Sequence, residues 1–349
     1  MCPVSRRPGE ARLRGMATGV ELPEIDAQRC VHTRAETAGC AQCVAACPRA
    51  AWVLDEQQLA LDTVRCDGCG LCTAHCPQGA LRHPAVRLQR YAGRETLLVS
   101  CDRVTCGHAW ELPCVHALGL REIGWLYRAG LRRLVLYTGH CAACPRDDPD
   151  GVLQRVARLN RVLAGRARPP LAVTQSQADG TRRVANGGGC SGAPQSHGRR
   201  GFLRSVLALS VPDTDDRSTR EAPGRFLPPV RRGQPALFVP RIDPLRCSGC
   251  DACVRLCPQA AIAVSEQRDA YLLDADACSG CGLCVDVCDR DAVSVEQDAV
   301  FDQPRVALQG TRCRSCGVDF HRPEGNRADV MLCPVCTQVD HRRHLFQVL

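Results

Sequence analysis

The feature that most constrains this chain is the interval at which its cysteines recur. Cys247-x2-Cys250-x2-Cys253-x3-Cys257-Pro258 is followed by Cys278-x2-Cys281-x2-Cys284-x3-Cys288. Nearer the start, Cys66-x2-Cys69-x2-Cys72-x3-Cys76-Pro77 follows a shorter run, Cys40-x2-Cys43-x3-Cys47-Pro48. Thiols three positions apart let one loop offer three corners of a metal cluster, and the fourth must come from elsewhere in the chain. Zinc sites or free thiols are the alternatives, and the regular spacing argues against both. There are 27 cysteines against 4% aromatic residues, so several small modules held by bound metal fit better than one large core. Disulfide frameworks belong to secreted domains, and the start of the chain, Met1-Cys2-Pro3-Val4, has no apolar signal region. No apolar stretch is long enough to span a membrane, so the expected compartment is the cytoplasm, with the thiols reduced.

The two cysteine-rich blocks, residues 30–84 and 236–300, resemble bacterial dicluster ferredoxins, in which each run's last cysteine ligates the other cluster. In the C-terminal block the resemblance implies one [4Fe–4S] cluster on Cys247, Cys250, Cys253 and Cys288, and a second on Cys278, Cys281, Cys284 and Cys257. Asp289 stands where the usual proline follows the last cysteine, which is expected to change the local turn without removing a ligand. Ala261–Val264 and Tyr271–Leu273 read as hairpin strands between the runs. In the N-terminal block Thr37 occupies the first ligand position. Cys30 would replace it by looping out His32 to Ala38, giving Cys30, Cys40, Cys43 and Cys76 for one cluster and Cys66, Cys69, Cys72 and Cys47 for the other. If Cys30 does not reach, that centre is three-coordinate or a [3Fe–4S] form.

Residues 94–174 have a different character. Thr96–Val99 and Leu134–Tyr137 are strand-like; Leu118, Ile123, Leu126 and Tyr127 follow one helical face, as do Val152, Val156, Leu159 and Leu163. Alternation of this kind predicts a small parallel sheet, and ligands of such sheets gather at the carboxyl ends of the strands. Cys101, Cys106, Cys114, Cys141 and Cys144 fall after apolar runs of this kind. The cysteine order and the run Leu131–Cys141 resemble the delta subunit of methyl-viologen-reducing hydrogenase, which implies a [2Fe–2S] cluster on these cysteines and a heterodisulfide-reductase-like partner. Buried or free thiols are the alternative.

Residues 1–29 read as a disordered tail and 175–235 as a flexible linker rich in Gly, Pro, Ser, Asp and Arg. Within the linker, Arg199-Arg200-Gly201-Phe202-Leu203-Arg204 is similar to a twin-arginine export motif, but the apolar stretch after it is too short for export. A solvated basic stretch or a partner-docking segment fits it better, the latter by a weak resemblance of the second half to the ferredoxin-like accessory protein of periplasmic nitrate reductase. Gly187-x-Gly189-x-x-Gly192 matches a dinucleotide fingerprint with no strand before it, and is rejected. In the tail, 305–349, Cys313-x2-Cys316 and Cys333-x2-Cys336 are separated by sixteen residues, the spacing of a four-cysteine zinc ribbon, with iron as the alternative metal. His321, His341 and His344 lie near it and read as ordinary surface residues. Cys2 and Cys190 are left outside every ligand set.

The formal charge is +8, and all 45 basic residues are Arg, a pattern that codon bias explains. Four thiolate-ligated cubanes at about −2 each would cancel that charge, so it is poor support for nucleic acid as a partner, and few aromatics are present to stack bases. The expected fold is α+β and multi-domain: two ferredoxin-like (βαβ) dicluster modules, a small α/β parallel-sheet domain between them and a C-terminal zinc ribbon. The expected function is transfer of single electrons between partner oxidoreductases, one donor and one acceptor, by a component of a hydrogenase, heterodisulfide-reductase-like or molybdoenzyme system rather than a complete enzyme. A maturation factor for a metalloenzyme, or a zinc-ribbon interaction module with structural clusters, are the other classes the sequence allows.

Overall fold

The computed structural model describes residues 20–54, 59–86, 88–104, 106, 109–146, 148, 150–177, 221–326 and 331–338. Cys2, Cys190, the double-arginine stretch, the Gly187–Gly192 match, His341 and His344 lie outside the described residues.

The N-terminal module runs β1 (Glu24–Ile25), α1 (Gln42–Ala45), β2 (Trp52–Leu54), β3 (Leu59–Leu61), α2 (Leu71–His75) and β4 (Leu81–Arg82). The first strand pairs with the last, Glu24 opposite Arg82, and the middle two form an antiparallel hairpin. Residues 20–29, expected in a disordered tail, are thus part of this module, because Ile25 pairs with Leu81 and the Asp26 amide donates to Ala80 O.

The middle domain follows as β5 (Thr96–Cys101), β6 (Trp110–Leu112), α3 (Leu120–Arg128), β7 (Arg133–Thr138), α4 (Val152–Gly165) and β8 (Ala172–Gln177). Its four strands are parallel, in the order β6-β5-β7-β8. Helix α3 begins where the Glu122 carboxylate accepts from the Gly119 N–H, satisfying a donor that the helix itself leaves unpaired. It buries Ile123 and Leu126, while α4 buries Val152, Val156, Leu159 and Leu163, one face at helical spacing. Leu118 is also buried but precedes the helix.

The C-terminal module repeats the first: β9 (Gln234–Ile242), α5 (Ala252–Leu256), β10 (Ile262–Val264), β11 (Ala270–Leu273), α6 (Leu283–Asp286) and β12 (Val293–Phe301). Again the first strand pairs with the last and the middle two form a hairpin. The chain continues into β13 (Arg305–Arg312), β14 (Asp319–Pro323) and α7 (Pro334–Gln338). Strand β13 pairs with β11 along its first half and with β14 along its second, so one four-stranded sheet crosses the boundary drawn between module and tail.

The middle and C-terminal units share one core: Leu134, Leu136, Val156 and Leu159 pack in the same cluster as Leu237, Phe238 and Ala277. Helix α4 lies against β9 so closely that a Cβ at Gly165 would meet Pro235 Cγ at 2.1 Å, which only glycine permits. Arg158 and Arg161 both pair with Asp298, and Arg166 pairs with Asp276. On the other side, His75 of α2 and Arg155 of α4 meet on Asp148. Residues 175–177 extend β8, and 221–235 pack rather than hang as a linker. Phe226 is buried, Gly224 touches Asp276 backbone, and the Val230 amide donates to Asp276 Oδ2. Among the described residues, no helix is long and apolar enough to cross a membrane.

Candidate metal centres

Each complete cysteine run is built by the same local device. The residue just after the second cysteine takes a left-handed conformation, at Gly70 (φ 76°), Asp251 (φ 62°) and Gly282 (φ 79°), and starts a helical turn carrying the third cysteine. The residue three after the last cysteine is also left-handed, at Ala50, Gly79, Ala260 and Asp291. That bend aims the next amide back at the sulfur: Ala51 to Cys47 (3.3 Å), Ala80 to Cys76 (3.2 Å), Ala261 to Cys257 (3.2 Å) and Ala292 to Cys288 (3.3 Å). The Cys288 turn closes like the other three although Asp289 replaces proline, so the turn is not changed as expected.

The sulfurs gather into groups. Cys247, Cys250 and Cys288 are electrostatic neighbours of Cys253; Cys278, Cys281 and Cys257 are neighbours of Cys284. In the N-terminal module Cys76, Cys40 and Cys30 are neighbours of Cys43, while Cys66 has Cys47 beside it and Cys72 has Cys69 and Cys66. Cys30 reaches its group through a turn over Val31–Thr33 that buries Val31 and through His32, whose Nε2 lies 2.7 Å from Cys40 O. The amides of His32 and Val31 face the Cys30 sulfur, as the Gly249 and Gly280 amides face Cys247 and Cys278.

Burial is the main force on these thiols, and crowding by neighbouring thiols or carboxylates adds to it. Together they push Cys43, Cys69, Cys253 and Cys278 up to about 12, and Cys40 and Cys247 to about 11. As thiolates these sulfurs need a cation among them, so the donor sets suit metal and not solvent.

In the middle domain Cys101 ends β5, Cys114 follows β6, and Cys141 and Cys144 follow β7. These four line one recess together with His116, His140 and Arg146. Cys106, expected with them, does not line it, because it lies in the stretch that leads from β5 to β6, beyond the strand end that carries Cys101. Burial pushes Cys114 up to about 12, and its neighbouring thiols include Cys101, Cys141 and Cys69 of the N-terminal module. Arg146 fastens the two regions, donating to Asp67 Oδ2 at 3.1 Å, Asp102 Oδ2 at 2.7 Å and Pro113 O at 2.8 Å. Arg121 of α3 is a second bridge that the sequence did not single out. Its buried guanidinium donates only to carbonyls, those of Glu221, Cys76 and Pro77, and pairs with no carboxylate among the described residues.

The tail differs in scale. The sulfurs of Cys313, Cys316, Cys333 and Cys336 lie within 4.8 Å of one another, and among the described residues no other group of metal-binding side chains converges so closely. Such convergence suits one ion, whereas a polynuclear cluster holds its thiolates further apart. Burial raises the Cys313 thiol, but the amides of Cys316, Cys333 and Ser315 outweigh it and bring it to about 6. His321 is not the surface residue expected. It is 5% exposed, outside the four-sulfur group, with its Nε2 2.8 Å from Asp251 Oδ1, an oxygen that also accepts from Tyr271 OH at 2.7 Å. Next to it, a Cβ at Gly249 would lie 2.1 Å from His321 O, so the first metal-binding loop of the C-terminal module rests on β14.

Family models described as 4Fe-4S dicluster domains match residues 36–81 and residues 246–292. No curated protein shows a significant match to the chain. The matched segments hold the repeated runs, while Cys30, the middle domain and the tail lie outside them. The chain therefore carries two 4Fe–4S dicluster domains, one in its N-terminal and one in its C-terminal region, and a four-cysteine cluster near its C-terminus.

Proposed function

We propose that this chain relays single electrons between two partner oxidoreductases, as a subunit or dedicated carrier of a hydrogenase, heterodisulfide-reductase-like or molybdoenzyme system. Two dicluster domains in one chain carry the reading. When bound, each [4Fe–4S] cluster supplies a one-electron couple. The residues assigned to hold them are Cys30, Cys40, Cys43 and Cys76; Cys66, Cys69, Cys72 and Cys47; Cys278, Cys281, Cys284 and Cys257; and Cys247, Cys250, Cys253 and Cys288. The amides aimed at the sulfurs stabilise charge on them, and burial keeps water away, the two levers a protein has on such potentials. The recess lined by Cys101, Cys114, Cys141 and Cys144 is assigned to a [2Fe–2S] cluster, and the tail to a structural zinc ion. Thiols kept for metal need a reducing compartment, and we place the protein in the cytoplasm.

Anaerobic purification with iron, sulfide and zinc counts tests this, followed by a redox titration read by paramagnetic resonance. About sixteen cubane irons are expected, at four per cluster, with four reversible one-electron signals. About eight cubane irons would sink the double-module reading.

A further inference from the structure

The two dicluster modules touch, although the whole middle domain separates them in sequence. Val31 and Ala38 share a small core with Leu283, and Cys40, Leu256 and Cys281 pack against it. The Gly39 amide donates to Asp286 Oδ2 at 2.7 Å, and Cys40 has Cys281 as an electrostatic neighbour. The contact also includes Gln78, 3% exposed, two residues after Cys76. Its Nε2 donates to Ser279 Oγ at 2.7 Å and its Oε1 accepts from Gln259 Nε2 at 3.0 Å. A buried amide is costly unless its donors and acceptors are met, and here both partners belong to the other module. Apolar packing alone would be served better by leucine.

We infer that Gln78 is a positioning residue for a metal centre it does not ligate: by holding Ser279 from across the junction it fixes the hydrogen bonds on the Cys281 sulfur, so the N-terminal module helps set the reduction potential of the centre at Cys257, Cys278, Cys281 and Cys284. This rests on the ligand set proposed above. Burial raises the Cys281 thiol, while the Leu283 amide, the Ser279 hydroxyl and the Gln78 side-chain amide act the other way and favour its thiolate, the last two of them groups of the junction. Donors to a thiolate favour the more negative, reduced form and raise the potential.

The test is Gln78→Leu in the full-length holoprotein, after iron and sulfide counts on both proteins. With the counts unchanged, one of the four potentials should become more negative while the others stay put. The moved signal should be the one that disappears in Cys278→Ala. Ser279→Ala should shift the same signal in the same direction, and Gln78→Met, which keeps the length of the side chain without its amide, carries the test if Gln78→Leu loses iron. Unmoved potentials, or movement confined to the signal that Cys30→Ala removes, overturn the inference. Wrong counts in the unsubstituted protein would instead strike at the proposed function.

Discussion

The two dicluster modules share an order of elements and a set of sulfur-directed turns, and differ in what braces them. In the C-terminal copy the outer strands run nine residues each, Val293 opposite Ile242 through to Phe301 opposite Gln234. The same pair in the N-terminal copy is two residues long. The C-terminal copy also shares the core of the parallel sheet, and its sheet runs on into the tail. The N-terminal copy splits its burial among small clusters, Trp52, Cys72 and Leu81 in one and Cys69 and Leu71 in another, and its first run lacks the opening cysteine. A module this small cannot rely on burial, so its metal and its contacts with neighbours must supply most of its stability. Its ties to Arg121 and Arg146, and through its own Gln78 to Ser279 and Gln259, have that character.

The largest effect that would break the comparison concerns Cys30. Cys30→Ala and Cys247→Ala remove the upstream thiol of equivalent groups, and each should lose a whole cluster, about four irons. If Cys30→Ala keeps its full iron content, the N-terminal copy uses another ligand and the equivalence fails. Next is the brace at the far end: Cys336→Ser should release the tail metal and lower the melting temperature of the C-terminal module. The temperature at which the N-terminal centres bleach should not change, and a parallel drop would mean the tail supports the whole molecule. His32→Ala removes the bond to Cys40 O, worth about 1 kcal/mol, and should speed loss of the N-terminal centre to a chelator roughly fivefold. Equal rates in variant and parent would show that Cys30 is held by its own turn. The smallest change is Asp289→Pro, which gives all four turns the same residue. Stability should stay within about 0.5 kcal/mol in denaturant titration, and a larger loss would mean that the Cys288 turn is not the same turn.

The sequence was most legible where spacing and chemistry coincide. A C-x-x-C-x-x-C run has few structural solutions, and the structure brings together the thiols those runs contain. Two of the four parallel strands could be read, because Leu97, Val99, Leu134 and Leu136 are apolar on one face of the sheet and Leu98, Val135 and Tyr137 on the other. The strand over Trp110–Leu112 is three residues long, and Ala172–Gln177 is polar and largely exposed, so neither carried a signal. Residues 221–235 have the Pro-Gly-Arg composition of a linker. They are ordered by tertiary contacts with Asp276 and α3, which composition does not report. The same holds for His321, whose partner Asp251 lies seventy positions away.

Arg121 makes one side chain the meeting point of three separate stretches of the chain. Among the described residues its contacts are the carbonyls of Glu221, Cys76 and Pro77, which solvate the guanidinium. Under the ligand set proposed above, a loaded centre at Cys76 would place negative charge close to it. Loss of that one side chain would therefore loosen α3, the Cys76–Pro77 turn and the 221–235 stretch together.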